Sequence, residues 1–193
     1  ILIGLVGSEM CIRDSLYSDL KGYFYFMKVV IIAVLLMLSA ICSATETAFS
    51  SCNRIRLKKL ADDGNKSAKK AMNICDNFDK ALTAILVGNN VVNISSSSIA
   101  TVLFTEKFGK GSVGLATVVM TVLVLIFGEI LPKSLAKENS ERFSILMAAP
   151  LSAFMFIITP ITAIFMGIKS GVSKLVGNKN SEPSVTEEEL KYI

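Results

Sequence analysis

The segment Gly128-Glu129-Ile130-Leu131-Pro132-Lys133 closes an apolar run, Ser112–Phe127, that holds no charged residue. The run is long enough for most of a membrane-spanning helix, so the sequence delivers a carboxylate into or just past the inner part of a span. An ionisable group there is costly and points to function by default. Pro132 adds to this, because it has no N–H and its ring clashes with the carbonyl four residues back, that of Gly128. If the helix continues through Pro132, the Gly128 carbonyl lacks its intrahelical donor and has no side chain covering it. A bare carbonyl beside the Glu129 carboxylate makes a pair of hard oxygen ligands, suited to Mg²⁺ or Ca²⁺. The plain alternative is a proline kink with a glutamate that snorkels to the headgroups.

Outward from this segment the chain reads as an all-α membrane protein. Of its 193 residues 52% are hydrophobic, and the mean hydropathy is +0.57. The absence of His excludes imidazole ligands and a Ser-His-Asp triad, and no nucleophile–base–orienter set is visible, so no enzyme is expected. The cysteines Cys11, Cys42, Cys52 and Cys75 form no C-x-x-C and no paired spacing, which argues for neither a zinc site nor a disulfide framework.

Three transmembrane helices are expected, at about residues 27–50, 81–104 and 112–133, with juxtamembrane and belt-like short helices. The first ends in SAICSATETAFSS (residues 39–51), where small residues recur every four positions, a face that lets helices approach closely. Ser39 and Ser43 lie one turn apart on it, with Glu46 near the same stripe. The second contains GNNVVNISSSS (88–98), with Asn89 and Asn93 one turn apart. Asn is poorly tolerated in apolar surroundings unless its amide is satisfied. Counted from the expected inner helix ends, Ser43, Asn89 and Glu129 fall at a shared depth of roughly 6–12 Å, at about 1.5 Å per residue. Ser39, Ser43, Asn89, Asn93, Gly128 and Glu129 thus offer neutral or hard oxygens and one negative charge, a set for Mg²⁺ or Na⁺ and not for a soft metal. The alternative is interhelical hydrogen-bond glue.

Between the first two spans, residues 53–80 carry Arg54, Arg56, Lys58, Lys59, Lys66, Lys69, Lys70 and Lys80. The apolar spacing predicts two amphipathic helices on the membrane surface, broken at Asp63-Gly64. The positive-inside rule places this loop in the cytoplasm and the N-terminus outside. Four Asp and the flanking spans argue against a nucleic-acid patch. The apolar stretch 143–168, cut by Pro150 and Pro160, is either a fourth span or an inner-leaflet hairpin. Lys169, Lys174 and Lys179 beyond it favour the hairpin and a cytoplasmic C-terminus.

SAICSATETAFSS, LVGNNVVNI (86–94), FGEILPKSLA (127–136) and VTEEEL (185–190) together resemble the transmembrane domain of the CorC/cyclin-M (CNNM) magnesium transporter family. The resemblance covers about residues 22–193. It implies a homodimeric domain of the plasma (bacterial inner) membrane that exports Mg²⁺ in exchange for Na⁺. It carries ion ligation onto Ser39, Ser43, Asn89, Gly128 and Glu129, and more weakly onto Asn93, with Pro132 as a structural kink. It also divides the chain into an N-terminal tail outside the family pattern (1–21, with residues 1–15 like a translated adapter), the transmembrane domain (22–175) and a linker (176–193). In the family that linker leads to a nucleotide-binding cytosolic pair of CBS domains, which the resemblance leaves beyond these residues. A membrane anchor or sensor for such a module, with no transport of its own, is the other reading.

Overall fold

The computed structural model describes the backbone of residues 2–175 and the side chains of residues 20–159. The expectations for the side chains of residues 1–15 lie outside that range, and those for residues 176–193 lie outside the described residues. The described elements are helical, with no strand among them. Helix α1 (Leu2–Ser51) is followed by the short α2 (Arg54–Asp62) and α3 (Lys66–Asp76), then by α4 (Phe78–Phe108). A 3₁₀ turn (Lys110–Ser112) leads into α5 (Val113–Leu123), a π-helical segment (Val124–Ile130), α6 (Leu131–Glu138) and α7 (Ser140–Leu175).

Among the described residues three stretches are long and apolar enough to cross a membrane: Leu20–Ser51, Lys110–Glu138 and Ser140–Thr159. The expected first and third spans lie within two of these. The expected second span, within α4, is 31 residues long but does not reach the same apolarity, because Asn89, Asn90, Asn93 and Ser95–Ser98 interrupt it. It packs instead along α1, from the Lys28–Glu106 ion pair to the bond from Ser39 Oγ to Asn89 Oδ1 at 2.9 Å. These two contacts make α1 and α4 antiparallel, as adjacent membrane helices joined by a short surface segment should be.

The break at Asp63-Gly64 is where the sequence placed it. Gly64 takes φ +91°, a left-handed conformation open to glycine at little cost. Two N-caps bound the helices: Asn53 Oδ1 accepts from the N–H groups of Ile55 and Arg56 at 3.0 and 3.2 Å, and Asn65 Oδ1 accepts from Ser67 and Ala68 at 3.0 and 3.1 Å. Such caps satisfy donors a helix start leaves open. Ala68, Ala71, Ile74 and Cys75 of α3 are buried in one core with Leu57, Phe49, Ala81, Ile85, Ala148 and Leu151, so the surface helices are packed onto the ends of α1, α4 and α7.

Residues 143–168 form neither a hairpin nor a belt of short helices: α7 runs unbroken from Ser140 to Leu175. Each proline removes one hydrogen bond, whereas a hairpin in an apolar setting would leave a whole turn of backbone groups without partners. Continuing the helix is the cheaper course.

Candidate functional site

On α1 the small face points inward. Ser39, Ser43 and Ala48 have no exposed surface and Ala44 has little, so positions 39, 43, 44 and 48 trace one helical stripe. The two serines behave unlike most other described hydroxyls. Thr45, Ser96, Ser98, Thr101, Thr105, Thr117, Thr121 and Ser144 each donate to a carbonyl three or four residues back in their own helix, the usual way to satisfy a hydroxyl in a helix. Ser39 donates across to Asn89 instead. Ser43 Oγ is buried with no hydrogen-bond partner.

Gly128 presses against the same serine. A Cβ built on it would lie 3.0 Å from Ser39 Oγ and 3.5 Å from Ser39 Cβ. Glycine is therefore required by close approach and not by backbone conformation. Ser39 thus sits between Asn89 of α4 and Gly128 of the third span. Measured along the helices, Ser39 is about 18 Å from the end of α1, Asn89 about 17 Å from the start of α4, and Gly128 about 15 Å from the end of α6, at roughly 1.5 Å per residue. These three residues thus lie at similar distances from their helix ends, whereas the depth counted from sequence was for Ser43, Asn89 and Glu129 and was shallower, at roughly 6–12 Å.

Gly128 and Glu129 lie within the π-helical segment. The sequence anticipated an α-helical kink at Pro132 that bares the Gly128 carbonyl. The backbone widens instead: the Leu131 N–H reaches the Ile126 carbonyl, five residues back. Continuing that register would need a Pro132 N–H for the Phe127 carbonyl, and an α-helical register would need it for Gly128. Pro132 supplies neither, so the π segment ends there and both carbonyls lose it as a donor. Short π segments inside α-helices are frequent at functional sites.

Glu129 is half-buried, and among the described residues its carboxylate makes no hydrogen bond or ion pair. Lys133 stands one turn further on but is drawn to Glu46 of α1, Nζ to Oε2 at 3.7 Å. That pairing leaves the Glu129 charge uncompensated. A second acceptor, Asn93 Oδ1, is buried without a partner, one turn beyond Asn89.

The structure therefore brings Ser39 into contact with Asn89 on one side and Gly128 on the other. Ser43 and Asn93 lie one turn away on the same helices, each with an orphaned oxygen, and Glu129 follows Gly128 in the chain. Ser43, Asn93 and Glu129 do not hydrogen-bond to one another. A buried acceptor without a donor costs about 1–3 kcal/mol, and lone pairs in that state fit a cation. Among the described residues no three His, Cys, Asp or Glu side chains cluster. A cation here would be held by hydroxyl, amide and backbone oxygens with a single carboxylate, which suits a hard ion that keeps part of its water. The sequence missed the Glu46–Lys133 pair as part of the site's electrostatics. Its signal was present, since Glu46 falls on the Ser39/Ser43 stripe and Lys133 lies four residues after Glu129.

Fold and site together define a multi-pass α-helical membrane domain with a buried polar cluster where three helices meet. The family described as Cyclin M transmembrane N-terminal domain matches residues 30–193, and the chain belongs to it. Similar proteins include a UPF0053 protein of Haemophilus influenzae, 36% identical over 85% of this chain and 40% of its own length. The UPF0053 inner membrane protein YfjD of Escherichia coli is 31% identical over 81% of this chain and 37% of its own. A chloroplastic DUF21 domain-containing protein of Arabidopsis thaliana is 36% identical over 84% of this chain and 25% of its own. The chain thus spans two fifths or less of these relatives' lengths.

Proposed function

We propose that this domain binds Mg²⁺ at the Ser39–Asn89–Gly128–Glu129 cluster and moves it outward across the bacterial inner membrane by alternating access, with Na⁺ as the coupling ion and without covalent chemistry. The observation that carries the proposal is the pair of buried, partnerless oxygens, Ser43 Oγ and Asn93 Oδ1. They lie one turn to either side of the Ser39–Asn89 contact, and Glu129, an unpaired carboxylate, follows Gly128 in the chain. Interhelical glue would have satisfied those oxygens, because hydrogen-bonding is what glue does. The charge pattern of residues 53–80 supports a cytoplasmic α2–α3 and an external N-terminus; Lys169, Lys174 and Lys179 support a cytoplasmic C-terminus, which an unbroken α7 allows only by lying along the inner membrane surface and not across it. A two-fold dimer is the assembly the proposal takes, as the commonest closed symmetry. A native mass equal to one chain in mild detergent would count against it.

The test is flux. Reconstituted in liposomes, the protein should move Mg²⁺ at a rate that depends on an opposing Na⁺ gradient. A folded protein that moves no Mg²⁺ under any gradient would favour the competing role, an anchor or sensor for a cytosolic module.

A further inference from the structure

Cys52 and Cys75 are 23 positions apart and share no sequence motif, yet the fold brings their sulfurs to 3.5 Å. Cys52 follows the last turn of α1 and is half-buried; Cys75 is the penultimate residue of α3 and is 2% exposed. Both belong to the core that ties α1, α3 and α7 together. Arg54 closes the arrangement, its Nη2 donating to the Cys75 carbonyl at 3.1 Å. We propose that Cys52 and Cys75 form a reversible dithiol–disulfide couple, oxidised by a peroxide, that staples the membrane-surface end of α1 to α3.

The chemistry assigns the two sulfurs different roles. The hydrogen bond from the Cys75 thiol lowers Cys52 to about 7, with the Arg54 charge acting in the same direction against the effect of burial. The same contact raises Cys75 above the usual thiol range, and burial adds to it. Cys52 is therefore the sulfur more easily ionised and Cys75 the one that holds its proton, and the half-exposed sulfur is the nucleophilic one. Cys52 Sγ⁻ attacks one oxygen of hydrogen peroxide. An S–O bond forms, the O–O bond breaks, and the departing hydroxide takes up a proton to leave as water. Cys75 Sγ then attacks the resulting sulfenic sulfur, the S–S bond forms and the S–O bond breaks. The second hydroxide takes the Cys75 proton and leaves as water. Two thiols lose two electrons in all, and one peroxide gains them. The sulfurs must approach by about 1.5 Å to reach a disulfide length of roughly 2.0 Å. A thiol reductant reverses the couple by exchange.

This couple does not depend on the ion proposal. If both hold, the staple should slow flux, because α1 carries Ser39 and Ser43. The assay reads the sulfur chemistry alone, so its failure is distinct from failure of the ion site.

The experiment uses the chain with Cys11→Ser and Cys42→Ser, so that only Cys52 and Cys75 remain. The protein is treated with a modest excess of hydrogen peroxide, alkylated, digested with trypsin and weighed by mass spectrometry. The expected product joins the peptides Val29–Arg54 and Ala71–Lys80 within one chain, in most molecules, and is lost after dithiothreitol. Adding Cys52→Ser, at a half-exposed position the fold tolerates, should leave Cys75 reduced and fully alkylated. Cys52 oxidised to sulfenic or sulfinic acid while Cys75 remains alkylatable would overturn the proposal. So would a linkage found only between chains.

Discussion

Gly128→Ala probes the site through a single methyl group. The added Cβ would lie 3.0 Å from Ser39 Oγ, closer than two such atoms normally sit, so the serine must yield by a few tenths of an ångström. The bond from Ser39 Oγ to Asn89 Oδ1, 2.9 Å long, is then stretched, at about 1 kcal/mol. Exchanging glycine for alanine inside a helix returns roughly 0.5–1 kcal/mol. Stability without ion should therefore change little. Ion binding has no such compensation, because an Mg²⁺–oxygen distance of about 2.1 Å tolerates little displacement. A tenfold loss of affinity is about 1.4 kcal/mol. At saturating Mg²⁺ this removes roughly 3–6 °C of the ion-dependent rise in melting temperature for a domain of this size. The assay is thermal unfolding in detergent with and without Mg²⁺, run beside Gly88→Ala. Gly88 directly precedes Asn89 but faces α7: a Cβ there would lie 2.6 Å from Phe154 Cζ, so that variant disturbs α4–α7 packing and not the Ser39 contact, and should keep more of its ion response. A full Mg²⁺ shift in Gly128→Ala, or an equal loss in both variants, would refute the reasoning.

Three further outcomes follow from the same geometry. Ser43→Ala removes a buried hydroxyl with no partner, so the ion-free protein should gain about 1 kcal/mol while Mg²⁺ binding weakens; loss of stability without ion would show that Ser43 is already satisfied. Glu46→Gln releases Lys133 to pair with Glu129 four residues earlier, and should weaken Mg²⁺ binding, with Lys133→Gln in the same chain restoring it. Independent effects of the two changes in that cycle would exclude competition for Glu129. Cysteines placed singly at Lys66 and Lys174 in a cysteine-free chain should both react with an impermeant maleimide from the cytoplasmic side; reaction from opposite sides would mean that α7 crosses the membrane.

Much of the architecture could be read from residue chemistry. The Asp63-Gly64 break and the inward small face of α1 follow from spacing and from the cost of polar groups among apolar ones; the depth count centred on Ser43, Asn89 and Glu129, whereas the contacts centre on Ser39. What could not be read depends on packing between distant segments. Pro132 announces a disturbance, but an α-helical kink and a π-helical widening remove the same donor. Only the contact of Gly128 with Ser39 and the five-residue bond from Leu131 to Ile126 tell them apart. Pro150 and Pro160 suggested a turn in α7, because proline read alone weighs its lost hydrogen bond and not the larger loss a turn would bring. Asn53 and Asn65 could have been identified as caps, since each directly precedes a helix start. The Cys52–Cys75 approach had no sequence signal, because it depends on how α3 folds back beneath the end of α1.

The central claim is that Glu129 supplies the charge that holds the ion. The most direct measurement is isothermal titration of Mg²⁺ into the purified protein and into its Glu129→Gln variant, which keeps size and hydrogen-bonding capacity but removes the charge. A divalent ion losing water in a low-dielectric site needs that charge, because Coulomb attraction there far exceeds its value in water. Saturable binding in the unaltered protein and none in a folded Glu129→Gln is the predicted result. Equal Mg²⁺ affinity in both would contradict the account.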